Sequence, residues 1–180
     1  NISRLNSSPI RWFVSIEEYD TGHTRYVSAA DALDPFEVLR ATTAVPFVFG
    51  KKVPVAGKRY VDGELGTVLQ DHITQALREG VKRILVLNDT SPWDTVSRAI
   101  FKGYAAHIPH GMRDAIVRDV STNVFAMKAP GAHVIAVAPQ NLPASTLTHD
   151  QKKLQKTFAQ GVADALSIEK ELRSFFAVRE

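Results

Sequence analysis

The stretch RYVDGEL, Arg59–Leu65, sets an aspartate and a glycine at the end of a short apolar run, with Gly66 just beyond. Asp-Gly is a frequent turn signal, so by itself Asp62-Gly63 reads as a surface turn. A carboxylate in this position has a second use. A serine hydroxyl is a weak nucleophile until an acceptor within hydrogen-bond reach takes its proton. A carboxylate does that when it is held rigidly and partly desolvated, because burial raises its proton affinity. Asp62 falls where a hairpin strand hands over to a helix, and Gly63 allows the tight turn behind it. Upstream, ATTAVPFVFG (Ala41–Gly50) places small residues and Pro46 before an apolar loop.

Other chemistry has less support. No glycine is followed two positions later by serine, so no Gly-x-Ser-x-Gly elbow exists, and there is no glycine-rich loop. Ser7, Ser8, Ser28, Ser91, Ser97, Ser121, Ser145, Ser167 and Ser174 therefore lack the context of a nucleophile. Among the histidines only His107 and His110 lie close together. They straddle Pro109 in a loop, away from convergent carboxylates, and no metal site is expected. The absence of cysteine excludes disulfides, thiol nucleophiles and thiolate zinc sites. No P-loop or dinucleotide fingerprint occurs, so no cofactor is expected. A net charge of +3, spread along the chain, is too small for a nucleic-acid footprint, and GKKVPVAGKR reads as a solvated hairpin.

The elements that position Asp62 follow from pattern. IRWFVSIEEYDTGHTRYVSA reads as two antiparallel strands joined at Asp20-Thr21-Gly22, the first beginning at Ile10. DPFEVLRATTA reads as a helix with Asp34 at the N-cap, Pro35 at N1 and Glu37 at N3, ended by Pro46. KKVPVAGKRYVDG is a second hairpin turning at Ala56-Gly57. TVLQDHITQALREG is an amphipathic helix capped by Gly80, with Val68, Ile73 and Ala76 or Leu77 on one side. KRILVLND and HVIAVAP are continuous apolar runs, the mark of parallel strands buried on both faces. WDTVSRAIFKGYAAH and MRDAIVRDVSTNVFAMKA between them read as helices of a long crossover. NLPASTLTHD is a loop, and one or two helices close the chain, with Phe175 and Phe176 docking the last one. KKLQK and EKELR read as solvated helix faces. The expectation is one α/β domain, or the larger part of one.

The block VLRATTAVPFVFGKKVPVAGKRYVDGEL, Val38–Leu65, resembles the region of patatin-like phospholipases where a small-residue helix end, an apolar-Pro turn and a hairpin lead to Asp-Gly-Gly or Asp-Gly-Ala. ALREGVKRILVLND and VIAVAPQNLPASTLTHDQKKLQKTFAQGVADAL are similar to the helix, strand and closing region that come after that block in the bacterial branch. The resemblance thus runs from about Trp12 to Leu166. It implies a three-layer α/β architecture with a mainly parallel central sheet, and hydrolysis of lipid acyl esters by a Ser-Asp dyad without histidine. Asp62 maps onto the base. In that family the nucleophile elbow and oxyanion loop precede the Asp-Gly block. Residues 1–180 are then expected to be the C-terminal part of a single such domain, inactive alone. Phe47 and Phe49 sit beside the proposed site, either as a lipid-facing lip or as core under the hairpin, with core the favoured reading.

The implied partners are a lipid or ester substrate and a peripheral membrane contact. The lack of a signal peptide or membrane-length run in this stretch makes a cytoplasmic location the expectation. This chain departs from the family at Glu64, where Gly or Ala is usual, and at Val68 and Gln70, where Asn and Pro are usual. Those departures support the alternative of a catalytically inactive, patatin-derived scaffold or binding domain.

Overall fold

The computed structural model describes residues 8–46, 50–87, 103, 105–121, 127–137, 142–144 and 148–177, with the backbone alone for 118–121. They fall into two compact units, Asn1–His72 with Trp93–Ala126 and Ile73–Pro92 with Met127–Glu180.

The first unit is built on an antiparallel sheet of four strands in the order β2-β1-β4-β3. β1 (Phe13–Glu18) and β2 (His23–Ser28) form the expected hairpin, closed by Gly22 N–H donating to Glu18 O at 2.8 Å. The strand starts three residues later than its hydrophobicity suggests. Ile10 is 74% exposed, so apolar character there is not used in the core. β3 (Val53–Val55) and β4 (Lys58–Asp62) turn through Ala56 and Gly57, both at positive φ, the conformation a two-residue hairpin loop demands.

Among the described residues, α1 (Pro35–Thr42) packs on one face of this sheet and α3 (His110–Ser121) on the other. α1 is started by the Asp34 carboxylate, which accepts from Phe36 N–H at 2.9 Å. It packs Val38 and Ala41 against Ile16, Val27, Val53, Val55 and Tyr60. The helix ends at Thr42, four residues before Pro46, rather than at the proline. The Thr42 hydroxyl donates to Ser15 O at 2.8 Å and that of Thr43 to Leu39 O at 3.0 Å, so one distant and one local side-chain bond stop the helix before the proline. On the other face, α3 (His110–Ser121) packs Met112 and Ile116 onto Tyr19, Val61 and Leu65. α2 (Leu69–Arg78) begins in this unit.

The second unit contains β5 (Arg83–Leu87) and β6 (His133–Val137), parallel neighbours as expected, with Leu85 opposite Ile135. Only Val86 and Ile135 of the pair are buried. Burial on both faces does not hold for these strands: among the described residues the sheet has only this pair, too little to cover twice. α4 (Gln151–Ser167) and α5 (Glu169–Ala177) resolve the C-terminal region into two helices. Phe175 docks α5, with its ring 5.3 Å from that of His133 and its carbonyl accepting from Arg83 Nη1 at 2.9 Å. Phe176 is 65% exposed and does not share that role.

The chain is therefore α/β, but its described strands form a four-stranded antiparallel sheet and a separate parallel pair. They do not form one mainly parallel sheet. The helix expected over 93–107 lies largely outside the described residues.

Candidate active site

Asp62 closes β4, opposite Ile16 of β1. Three chain segments meet there. The Asp62 N–H donates to Ala44 O at 3.3 Å, so the segment leaving α1 runs beside the end of β4. Ala41 and Ala44 are fully buried, which explains small residues at this helix end: anything larger would hold α1 away from the strand. The Thr42 hydroxyl, on Ser15 O, ties the same helix end to β1.

Beyond Asp62 the chain makes a 3-10 turn, Gly63–Leu65. The Asp62 carboxylate caps it, Oδ1 accepting from Glu64 N–H at 2.9 Å. Among the described residues this is the only hydrogen bond to that carboxylate, which leaves Oδ2 available. Burial pushes the Asp62 pKa up from its ordinary 3.8, and the Glu64 N–H pulls weakly the other way. The group therefore holds a proton more readily than a surface aspartate, the direction a base needs.

Gly63 and Gly66 are required by close approach. A Cβ on Gly63 would lie 2.6 Å from Ser15 Oγ and press harder still on the Ser15 carbonyl. A Cβ on Gly66 would lie 2.6 Å from the Glu17 carboxyl carbon and 2.8 Å from Ala115 Cβ. Glu17 is fully buried. The Thr24 hydroxyl donates to its Oε2 at 2.7 Å, and the buried Thr67 hydroxyl is 3.1 Å from that of Thr24. The single Thr24 proton is used on Glu17, so Thr67 is the donor in the second contact. The turn is thus held before Gly63 by the strand ladder and after Gly66 by Thr67, Thr24 and Glu17.

Glu17, Thr24 and Thr67 carry no sequence signal, because Glu17 in SIEE looks no different from its solvated neighbour. Tyr26 and His72 add a further polar contact. The Tyr26 hydroxyl and His72 Nδ1 are 3.2 Å apart, and burial lowers the His72 pKa while Asp71 opposes the shift.

Asp62 and Gly63 therefore lie together against the small-residue helix end. Phe47 and Phe49 lie outside the described residues. Ser15 lies against the turn, but strand alternation puts it on the face of Gly63, opposite that of Asp62 and Ile16. Glu64 is exposed. Its carboxylate is not among the groups that move the Asp62 pKa, so Glu64→Gly is expected to leave the stability of the turn and any Asp62-dependent activity within about twofold of wild type. Val68 is buried, and Gln70 lies in the first turn of α2.

Among the described residues no group of three His, Asp or Glu is arranged to hold a metal, and no helix is long and apolar enough to cross a membrane. No family model, curated protein or solved structure matches this chain.

Proposed function

We propose that this chain supplies the base of a patatin-like lipid acyl hydrolase, with Asp62 as the aspartate of a Ser-Asp dyad. The observation that carries the reading is the state of Asp62: a half-buried carboxylate with a raised pKa, fixed through one oxygen and available through the other. A carboxylate serving only as a turn cap is usually solvated, and burial would then be a cost without return.

In this reading the serine belongs to a segment of the natural polypeptide outside residues 1–180. Asp62 accepts the serine proton as the oxygen attacks the ester carbonyl, and the departing alcohol then takes that proton. Water then attacks the acyl-serine as the same carboxylate takes its proton, and the fatty acid is released as the serine oxygen takes that proton back. No cofactor enters the scheme, and the finer architecture belongs to the same proposal: a patatin-like layering completed by elements beyond this stretch.

The test is labelling of the natural gene product by a fluorophosphonate, which reacts with an activated serine. Labelling at one serine upstream of Asn1, lost in Asp62→Asn, is the expected result. A natural product of 19.8 kDa, the mass of these 180 residues, or labelling that survives the substitution, would overturn the dyad and favour the inactive scaffold.

A further inference from the structure

Beyond Gly66 the chain is tied to β2 at two places. Thr24 and Tyr26 alternate along that strand and so share one face of the sheet. The Thr67 hydroxyl donates to that of Thr24 at 3.1 Å, and the Tyr26 hydroxyl stands 3.2 Å from His72 Nδ1. All four residues belong to the first unit. The rings of Tyr26 and His72 also meet edge to face, with centroids 5.7 Å apart and planes at 85°. A hydrogen bond and a ring contact thus hold the imidazole half-buried in the first turn of α2.

That position suits a neutral imidazole and not an imidazolium. Burial removes water that the cation needs, which lowers the His72 pKa from its ordinary 6.5. The first turn of a helix is also the positive end of its dipole. Asp71 favours the cation, but its Oδ2 already accepts from Val68 N–H at 3.1 Å at the start of the helix. Around the imidazole, β2 presents the Tyr26 phenol and α2 presents Asp71. On β1 the Glu17 carboxylate is engaged with Thr24, and α3 presents Ala115 to Gly66. With the imidazole neutral, Nδ1 can accept from the Tyr26 hydroxyl. Once it is protonated, both ring nitrogens are donors and that direction of the bond is lost.

We propose that Tyr26 and His72 form a pH-sensitive latch: neutral His72 holds residues 66–72 against β2, and its protonation releases them toward water. The closed form is fully favoured above the unfolded value of 6.5, and that stabilisation is lost as pH falls through the lower, folded value. Residues 66–72 follow directly from the turn that Asp62 caps, so release loosens the exit of that turn and leaves the β1–β4 ladder before it in place. The latch is read without catalysis and stands or falls separately from Asp62 as a base.

Hydrogen exchange of the 180-residue chain, read on peptides by mass spectrometry and corrected for the intrinsic pH dependence of exchange, tests it. From about pH 7.5 to about pH 5, protection of residues 66–72 is expected to fall about fivefold or more. Peptides from β1 and β4 should keep theirs within about twofold. His72→Gln takes no proton and is expected to show the same protection of residues 66–72 at both pH values. Tyr26→Phe keeps a ring and removes the hydroxyl. It is expected to lower protection at the higher pH about threefold or more and to narrow the difference between the two. Protection of residues 66–72 that ignores pH in the wild type, a loss shared equally by β1 and β4, or a pH dependence that survives His72→Gln would overturn the proposal. So would a His72 ring that titrates at or above 6.5 in the NMR spectrum of the wild-type chain.

Discussion

Asp62→Asn in the complete natural polypeptide is expected to reduce ester hydrolysis on the order of 10³-fold, within the range that a positioned general base contributes, while leaving the protein folded. Asparagine keeps the acceptor oxygen that caps the turn at Glu64 N–H and is itself a good capping residue. It has no proton affinity to offer a serine. The loss should fall on kcat, since the carboxylate acts on the nucleophile and not on substrate binding.

The raised pKa of Asp62 gives two further signs that make the experiment discriminating. Catalysis needs the ionised form, so the acid limb of kcat/KM should lie above the ordinary 3.8 and vanish in the variant. Stability runs the other way. The folded state binds this proton more tightly than the unfolded chain, so ionisation opposes folding. That cost is absent below the unfolded value, grows as pH rises through the folded one, and is complete above it. Asparagine never ionises, so the variant is expected to be at least as stable as wild type near neutral pH. The difference should shrink as pH falls toward 4 and below. A dead but undiminished protein marks a functional carboxylate. A variant that is active, or that loses activity only by unfolding, marks a structural one.

The second large effect is expected at Gly63. Gly63→Ala should destabilise the protein by about 3 kcal/mol, the upper end of overpacking costs, measured by urea unfolding. The new methyl meets Ser15 at the backbone and at Oγ. Neither can retreat cheaply: Ser15 lies within β1, paired on one side with β2, and its carbonyl accepts from Thr42. A φ argument plays no part, since Gly63 does not occupy the left-handed region; the difficulty is space alone. Any relief must push the Asp62–Leu65 turn outward, which moves the carboxylate as well. In the complete polypeptide, activity should therefore fall further than the folded fraction accounts for. Wild-type stability in Gly63→Ala would show that the turn is looser than its contacts indicate.

The elements around the site are legible in the sequence where the determinants are local. Asp34 and Pro35 set the start of α1, Asp20-Thr21-Gly22 and Ala56-Gly57 set the two hairpins, and the apolar runs set β5 and β6. Each depends on backbone preferences or side chain-to-backbone bonds within a few residues, so the chain carries the information in place. The end of α1 is not legible in this way. Its stop signal is shared between a local bond, Thr43 to Leu39 O, and a distant one, Thr42 to Ser15 O, and neither is the proline that the sequence displays.

Partner choice is not legible either, because contacts distant in sequence decide it. Glu17 and Glu18 are adjacent and identical. Alternation turns one toward α3 and the Thr24 hydroxyl, where it is fully buried, and the other toward Lys58, whose Nζ is 2.7 Å away. Likewise, the Asp62-Gly63 dipeptide specifies a turn by itself. Only the meeting of β1, β4 and the end of α1 makes its carboxylate half-buried and raises its pKa, since desolvation belongs to the packed assembly and not to the residue.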